Sequence, residues 1–213
     1  MVYKANLEAL FNMLEASKDV DYKGFLNFAT THHNLEAGSF YGSTKAGGEY
    51  LARAFVRNFD KPIVNIRPYS IYGEHEWDFR FIPTISRQIQ NNKPITVSDV
   101  DHDWTYVEDF IDGLLKAKEN INDLKGLSVG IGTGRRVSNL DVAKTLMKVV
   151  GKKVKIINGN KRTYEIAAYN KEILNKTPEQ KNEVEYFKEN TPLEVGLKKV
   201  YDNPILWLKR TKY

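Results

Sequence analysis

Tyr41-Gly42-Ser43-Thr44-Lys45 sets a phenol and an ammonium four residues apart. On a helix that spacing brings both side chains to one face. A cation beside a phenol favours the phenolate and draws its titration toward working pH. Such a phenolate can take the proton from a substrate hydroxyl while hydride leaves the same carbon. The pair alone is weak evidence. With 12 tyrosines in a lysine-rich chain, about one Tyr-x-x-x-Lys arises by chance.

The flanking elements add the missing context. Leu7, Leu10, Phe11 and Leu14 recur at helical spacing, which predicts an amphipathic helix from Asn6 to Ala16. Phe25 to Ala29 reads as a short apolar strand that runs on into Thr30 and Thr31. The helix bearing the pair begins near Tyr41 and ends near Asn58, before Lys61-Pro62, and Ile63 to Ile66 forms a second buried strand. Arg67-Pro68-Tyr69-Ser70-Ile71-Tyr72-Gly73 reads as a loop. A helix over Phe81 to Gln90, a strand at Ile95 to Val97 and an extended Trp104 to Val107 follow. Glu108 and Asp109 place acidic groups at the start of a helix reaching Ala117. Leu127-Ser128-Val129 is a strand expected to turn at Gly130 to Gly134, and Ser138 to Asp141 resembles a capping box for a helix to Val150. Val154 to Ile157 is a last strand, with helices near Tyr169–Leu174 and Pro192–Tyr201. Strands alternating with helices predict an α/β fold with a parallel sheet.

Composition narrows the function. The chain has 213 residues, no apolar run long enough to span a membrane and no signal-like N-terminus. Zero cysteines exclude disulfides and thiolate metal sites and fit a cytoplasmic protein. The paired His32 and His33 have no third ligand nearby, so no metal site is expected. The net charge is +5, but the lysines are dispersed and no finger or aromatic RNA-binding stretch accompanies them, which argues against nucleic acid.

Taken in order, these motifs resemble the extended short-chain dehydrogenase/reductase family of NAD-dependent nucleotide-sugar epimerases and dehydratases. The matching series is Ala29-Thr30-Thr31, Tyr41-x-x-x-Lys45, the Arg67-Pro68 to Tyr72-Gly73 loop, Lys93-Pro94-Ile95 and Asp103 to Asp109, then Gly130 to Ser138. It covers roughly residues 3–150 well and the remainder loosely. The resemblance implies a partial Rossmann-like parallel sheet, its C-terminal half, in residues 1–73 with 98–122 returning to it. A smaller α/β substrate-binding domain would occupy 74–213. It also implies Tyr41 as acid/base, with Lys45 holding the nicotinamide ribose and tuning Tyr41. Thr31, or alternatively Thr30, would hydrogen-bond the reacting oxygen. Pro68 would join Tyr41 and Lys45 against the cofactor, NAD or NADP, while Ser70, Arg80 and His102 would face a nucleotide sugar.

Three departures from the family pattern stand out. The glycine-rich turn that seats the cofactor pyrophosphate is not found, and Gly130-x-Gly132-x-Gly134 does not replace it: Lys152-Lys153 stand where the fingerprint has an acidic residue. Ser70 occupies a position commonly filled by asparagine. His102 stands where the family usually has a diphosphate-binding arginine, a role Arg80 or Arg87 could take. The Thr31-His32-His33-Asn34 stretch lacks the Asp-Glu pair of the 4,6-dehydratases, which favours epimerisation or keto/alcohol redox over dehydration.

The leading expectation is therefore a split or truncated enzyme that works beside a complementing N-terminal chain. Its first strand would be left as an exposed edge. A homodimer is expected through the Asn6–Ala16 and Tyr41–Asn58 helices, with Tyr50, Leu51, Ala54 and Phe55 available for the contact. The alternative is a catalytically inactive relative that binds a sugar nucleotide or serves assembly. A nucleic-acid-binding domain is the remotest reading.

Overall fold

The computed structural model describes residues 1–31, 39–98, 100–159 and 183–203. A π-helical stretch, Lys4–Glu8, leads into α1 (Ala9–Ser17), β1 (Phe25–Phe28), α2 (Phe40–Phe59) and β2 (Ile63–Pro68). Next come β3 (Ser70–Tyr72), α3 (Phe81–Gln90), β4 (Ile95–Val97), β5 (Asp101–Tyr106), α4 (Val107–Glu119) and β6 (Ser128–Gly132). The remaining elements are β7 (Arg136–Ser138), α5 (Asn139–Val150), β8 (Ile156–Asn158), β9 (Glu183–Phe187) and α6 (Leu193–Asp202). The class is α/β, as the alternation predicts, and the chain forms two compact units. Of the described residues, the first holds Met1–Tyr69, Phe110–Gly134 and 183–188, and the second holds the rest.

The first unit is built on a parallel sheet of order β1-β2-β6-β9. Its inner strand explains the arrangement: Ile63, Val64, Asn65 and Ile66 are all buried, as expected of a parallel strand covered on both faces. The one polar member, Asn65, accepts a 2.8 Å hydrogen bond from the Asn27 amide, its register partner on β1. A satisfied amide pair can lie in a sheet interior where an unpaired one would be costly. On one side α1 and α2 pack, with Leu10, Leu14, Ala52, Phe55 and Ile63 forming a core. Phe55 is therefore turned inward, contrary to its expected place on an outer contact face, while Tyr50 and Ala54 are exposed.

Two local expectations change here. β2 continues through Arg67 and Pro68 instead of entering a loop after Ile66, because Arg67 and Pro68 pair with Gly130 and Ile131 of β6. Proline is tolerated at that strand end. Likewise the chain does not turn at Gly130: Gly130 to Gly132 remain in β6, held between β2 and β9. The turn comes at Gly134, where φ is +74°, a conformation that glycine adopts without a Cβ penalty. β1 lies at the sheet edge among the described residues, and Phe28 is 44% exposed there.

In the second unit, β3 stands where a loop was expected. Ser70, Ile71 and Tyr72 pair in parallel with Trp104, Thr105 and Tyr106 of β5, and β5 also pairs antiparallel with β7. β4 and β8 form a separate parallel pair. The core is largely isoleucine and leucine. Ile82, Ile85 and Ile89 of α3 meet Val142 and Leu146 of α5 and Leu197 of α6, each set spaced at helical intervals. Pro83 sits in the first turn of α3, where a missing N–H costs nothing. The capping box at Ser138 is formed: its hydroxyl accepts from the Asp141 N–H at 3.0 Å.

The expected domain boundaries shift accordingly. The first unit stops at Tyr69, not residue 73, and regains the chain over Phe110–Gly134, not 98–122. Asp101–Tyr106 belongs to the second unit because its ladder partners, Ser70–Tyr72 and Arg136–Ser138, lie there. The helix expected near Tyr169–Leu174 lies outside the described residues, as do His32, His33 and Asn34.

Candidate active site

In the first unit, α2 carries both Tyr41 and Lys45. Ser39 caps it, its hydroxyl accepting from the Gly42 N–H at 3.0 Å, so the helix opens immediately before Tyr41. The Tyr41 side chain is about half exposed, at 47%. Lys45 is half-buried and donates from Nζ to the Phe28 carbonyl at 2.7 Å. Burial holds its ammonium below the ordinary lysine range. An ammonium has three N–H groups, and one is spent on Phe28, which leaves two for a ligand's hydroxyls. Thr31 is half-buried, three residues past the end of β1, while Thr30 is buried at 4% exposure. Pro68 ends β2, and its neighbour Tyr69 donates from N–H to the Ile131 carbonyl at 3.3 Å. Tyr41, Lys45, Thr31 and Pro68 thus all belong to the first unit.

The three expected substrate-side residues lie in the second unit. Ser70 and His102 are brought together: Ser70 Oγ is 3.1 Å from His102 Nδ1. The imidazole also lies 5.1 Å, centroid to centroid, from the Trp104 ring. Arg80 occupies the N-cap position of α3 and donates from Nε to Glu76 at 3.1 Å. Its guanidinium is 55% exposed, so that ion pair is a weak constraint. Burial raises the Glu76 carboxyl above the usual range, and Arg80 only partly opposes this. Arg87 sits 3.7 Å from Asp78. No cluster of His, Cys, Asp or Glu among the described residues has the makings of a metal site.

A buried carboxylate of the first unit stands outside every motif read from the sequence. Glu49, 3% exposed, accepts from Arg67 Nε and from a second Arg67 nitrogen, each at 2.7 Å. Ser128 Oγ donates to the same carboxylate at 2.9 Å and in turn accepts from Arg53 at 3.0 Å. Two signals were available in the sequence. Glu49 continues the stripe Tyr41, Lys45, Glu49, Arg53 at four-residue spacing, and Arg67 follows the strand residues Ile63 to Ile66, where a buried charge requires a partner.

A family model described as "NAD dependent epimerase/dehydratase family" matches residues 1–132. A dTDP-D-glucose 4,6-dehydratase of Dictyostelium discoideum is 28% identical over 114 residues, 51% of this chain and 25% of that protein. An uncharacterised UDP-glucose epimerase of Bacillus subtilis is 30% identical over 165 residues, 70% of this chain and 51% of that one. The chain therefore spans about half or less of these relatives' length. In fold it is similar to the UDP-glucuronic acid 4-epimerase of Bacillus cereus, solved with UDP-glucuronic acid and NAD. The TM-score is 0.74 at 23% identity, over 93% of this chain and 67% of that one.

Proposed function

Because the chain belongs to the NAD-dependent epimerase/dehydratase family, we propose that Tyr41, Lys45 and Thr31 carry out epimerisation or keto/alcohol redox on a nucleotide sugar. The observation that carries this reading is the fixing of Lys45: its ammonium is anchored on the Phe28 carbonyl at 2.7 Å, one turn along α2 from Tyr41. NAD or NADP, when bound, supplies the hydride acceptor. Lys45 has two donors left for ribose hydroxyls. Tyr41, acting as base, removes the proton from the sugar hydroxyl, and the Thr31 hydroxyl orients the reacting oxygen. In epimerisation, Tyr41 later returns the proton to the same oxygen.

The cofactor's pyrophosphate needs backbone donors at a helix N-terminus. A complementing chain supplies them and docks on the outer side of β1, whose edge position among the described residues suits strand addition. A homodimer forms through α1 and α2, where Phe11, Met13 and Tyr50 are about half exposed. The substrates to try first are the UDP- and dTDP-hexoses after which these relatives are named. With the chain complemented by a family phosphate-binding half, Tyr41→Phe abolishes turnover of these substrates and leaves cofactor affinity near wild type. Turnover retained in Tyr41→Phe sinks the assignment.

A further inference from the structure

The helix that carries Tyr41 and Lys45 has an unusual contact face. Where α2 meets the N-terminal helix, Gly47 and Gly48 are so placed that a Cβ would come within 3.3 Å of Leu7 and 3.0 Å of Leu10. Glycine permits that close approach, but it offers no side chain to interlock. Further along α2, Ala52 and Phe55 pack into the core with Leu10 and Leu14, but at Gly47 and Gly48 no side chain interlocks. At that turn another contact has to set the angle of α2.

The neighbouring residue meets that need. Glu49 is clasped by Arg67 through two parallel 2.7 Å bonds and by Ser128 at 2.9 Å. Two-pronged charge-assisted pairing constrains direction as well as distance. The partners sit on β2 and β6, adjacent strands of the parallel sheet. One helical turn before Glu49, about 6 Å along the axis, Lys45 is bonded to the last residue of β1. α2 is thus tied to the sheet at two points on one stripe. We propose that Glu49, clasped by Arg67 and Ser128, is a positioning residue that fixes the rotation of α2 and so holds Lys45 on the Phe28 carbonyl. This deepens the preceding reading and rests on it for the importance of Lys45, but the geometry is testable without cofactor or turnover.

A purely structural role for the clasp predicts lost stability and an unchanged Lys45. The proposal predicts a changed Lys45, in a definite direction. If α2 rotates, Lys45 leaves its half-buried place and its titration rises toward that of a solvated lysine. Simple removal of a nearby negative charge moves it the opposite way. The experiment follows the 13Cε resonance of Lys45 against pH in the full chain with 13C-labelled lysine, assigned by Lys45→Arg. Glu49→Asp keeps the charge but draws the carboxylate back by one methylene. Glu49→Gln combined with Arg67→Gln removes both charges and leaves no buried ion unpaired. The expected result in each is a Lys45 midpoint raised by about half a pH unit, with unfolding still cooperative. An unchanged or lowered midpoint in folded protein overturns the proposal, and Glu49→Asp decides alone if the double variant does not fold. Failure of the catalytic reading shows separately: Lys45 moves as expected in the Glu49 variants, but Tyr41→Phe leaves turnover intact.

Discussion

The two units hold their helices by opposite means. In the first, α2 turns glycines toward the N-terminal helix beside its core contacts at Ala52 and Phe55, and a buried carboxylate in a web of arginine and serine donors ties it to the sheet. In the second, α3, α5 and α6 interlock through fully buried isoleucine and leucine side chains. Hydrocarbon packing is strong, tolerant of small volume-conserving changes and indifferent to direction. A bidentate ion pair contributes little net stability but punishes misalignment heavily. Direction is what the proposed roles of Tyr41 and Lys45 require, and bulk stability is what hydrocarbon packing supplies.

The contrast is broken most severely at Arg67. Arg67→Ala leaves Glu49 buried without its main partner and costs about 4 kcal/mol, measured by urea unfolding. Glu49→Leu with Arg67→Met recovers most of that loss, since a hydrocarbon pair of similar volume needs no charge compensation. Leu146→Ala in the second unit, at a site with no exposure, costs about 3 kcal/mol. Here Leu146→Met costs well under half as much, because shape is forgiving where charge is not. Ser138→Ala removes the N-cap of α5 and lowers stability by about 1 kcal/mol, read in the same assay.

The smallest effect is a pH slope. Burial raises the Glu76 carboxyl, and Arg80 opposes that only in part. The folded protein therefore keeps this proton to a higher pH than the unfolded chain does. Stability falls as pH rises from the ordinary carboxylate pKa to the raised one, then levels off. Glu76→Gln flattens that stretch of the curve of Tm against pH; an unaltered slope refutes the assignment of the raised carboxyl to Glu76.

Elements with one strong periodic signal were readable from the sequence. The helix Phe81–Gln90 and strand Ile95–Val97 fall where the sequence places them, and the Ser138 cap forms as written. The misread elements are those decided by long-range pairing. Proline and glycine in Arg67 to Gly73 suggest a loop, yet Ser70–Tyr72 becomes a strand because Trp104–Tyr106 pairs with it. Gly130 and Gly132 suggest a turn, yet two neighbouring strands keep them extended. β9, with its alternating Glu183-Val184-Glu185-Tyr186, was passed over because its strand character depends on pairing with β6. At the site, Tyr41 and Lys45 were visible as a local motif. The clasp was not, since Glu49, Arg67 and Ser128 are separated by 18 and 79 residues from the carboxylate outward. Ser70 and His102, 32 residues apart, were each noticed singly, but their mutual hydrogen bond was not foreseen.

The assignment of α2 as the seat of nicotinamide chemistry is tested most directly by mapping NADH by NMR onto the chain complemented by a family phosphate-binding half, following Tyr41, Thr31 and the Lys45 13Cε resonance during a titration. The expected result is a saturating shift of Lys45 and Tyr41, with Lys152 and Lys153 unmoved. If none of the three residues responds up to about 10 mM cofactor, or if only surface lysines respond, the assignment is contradicted.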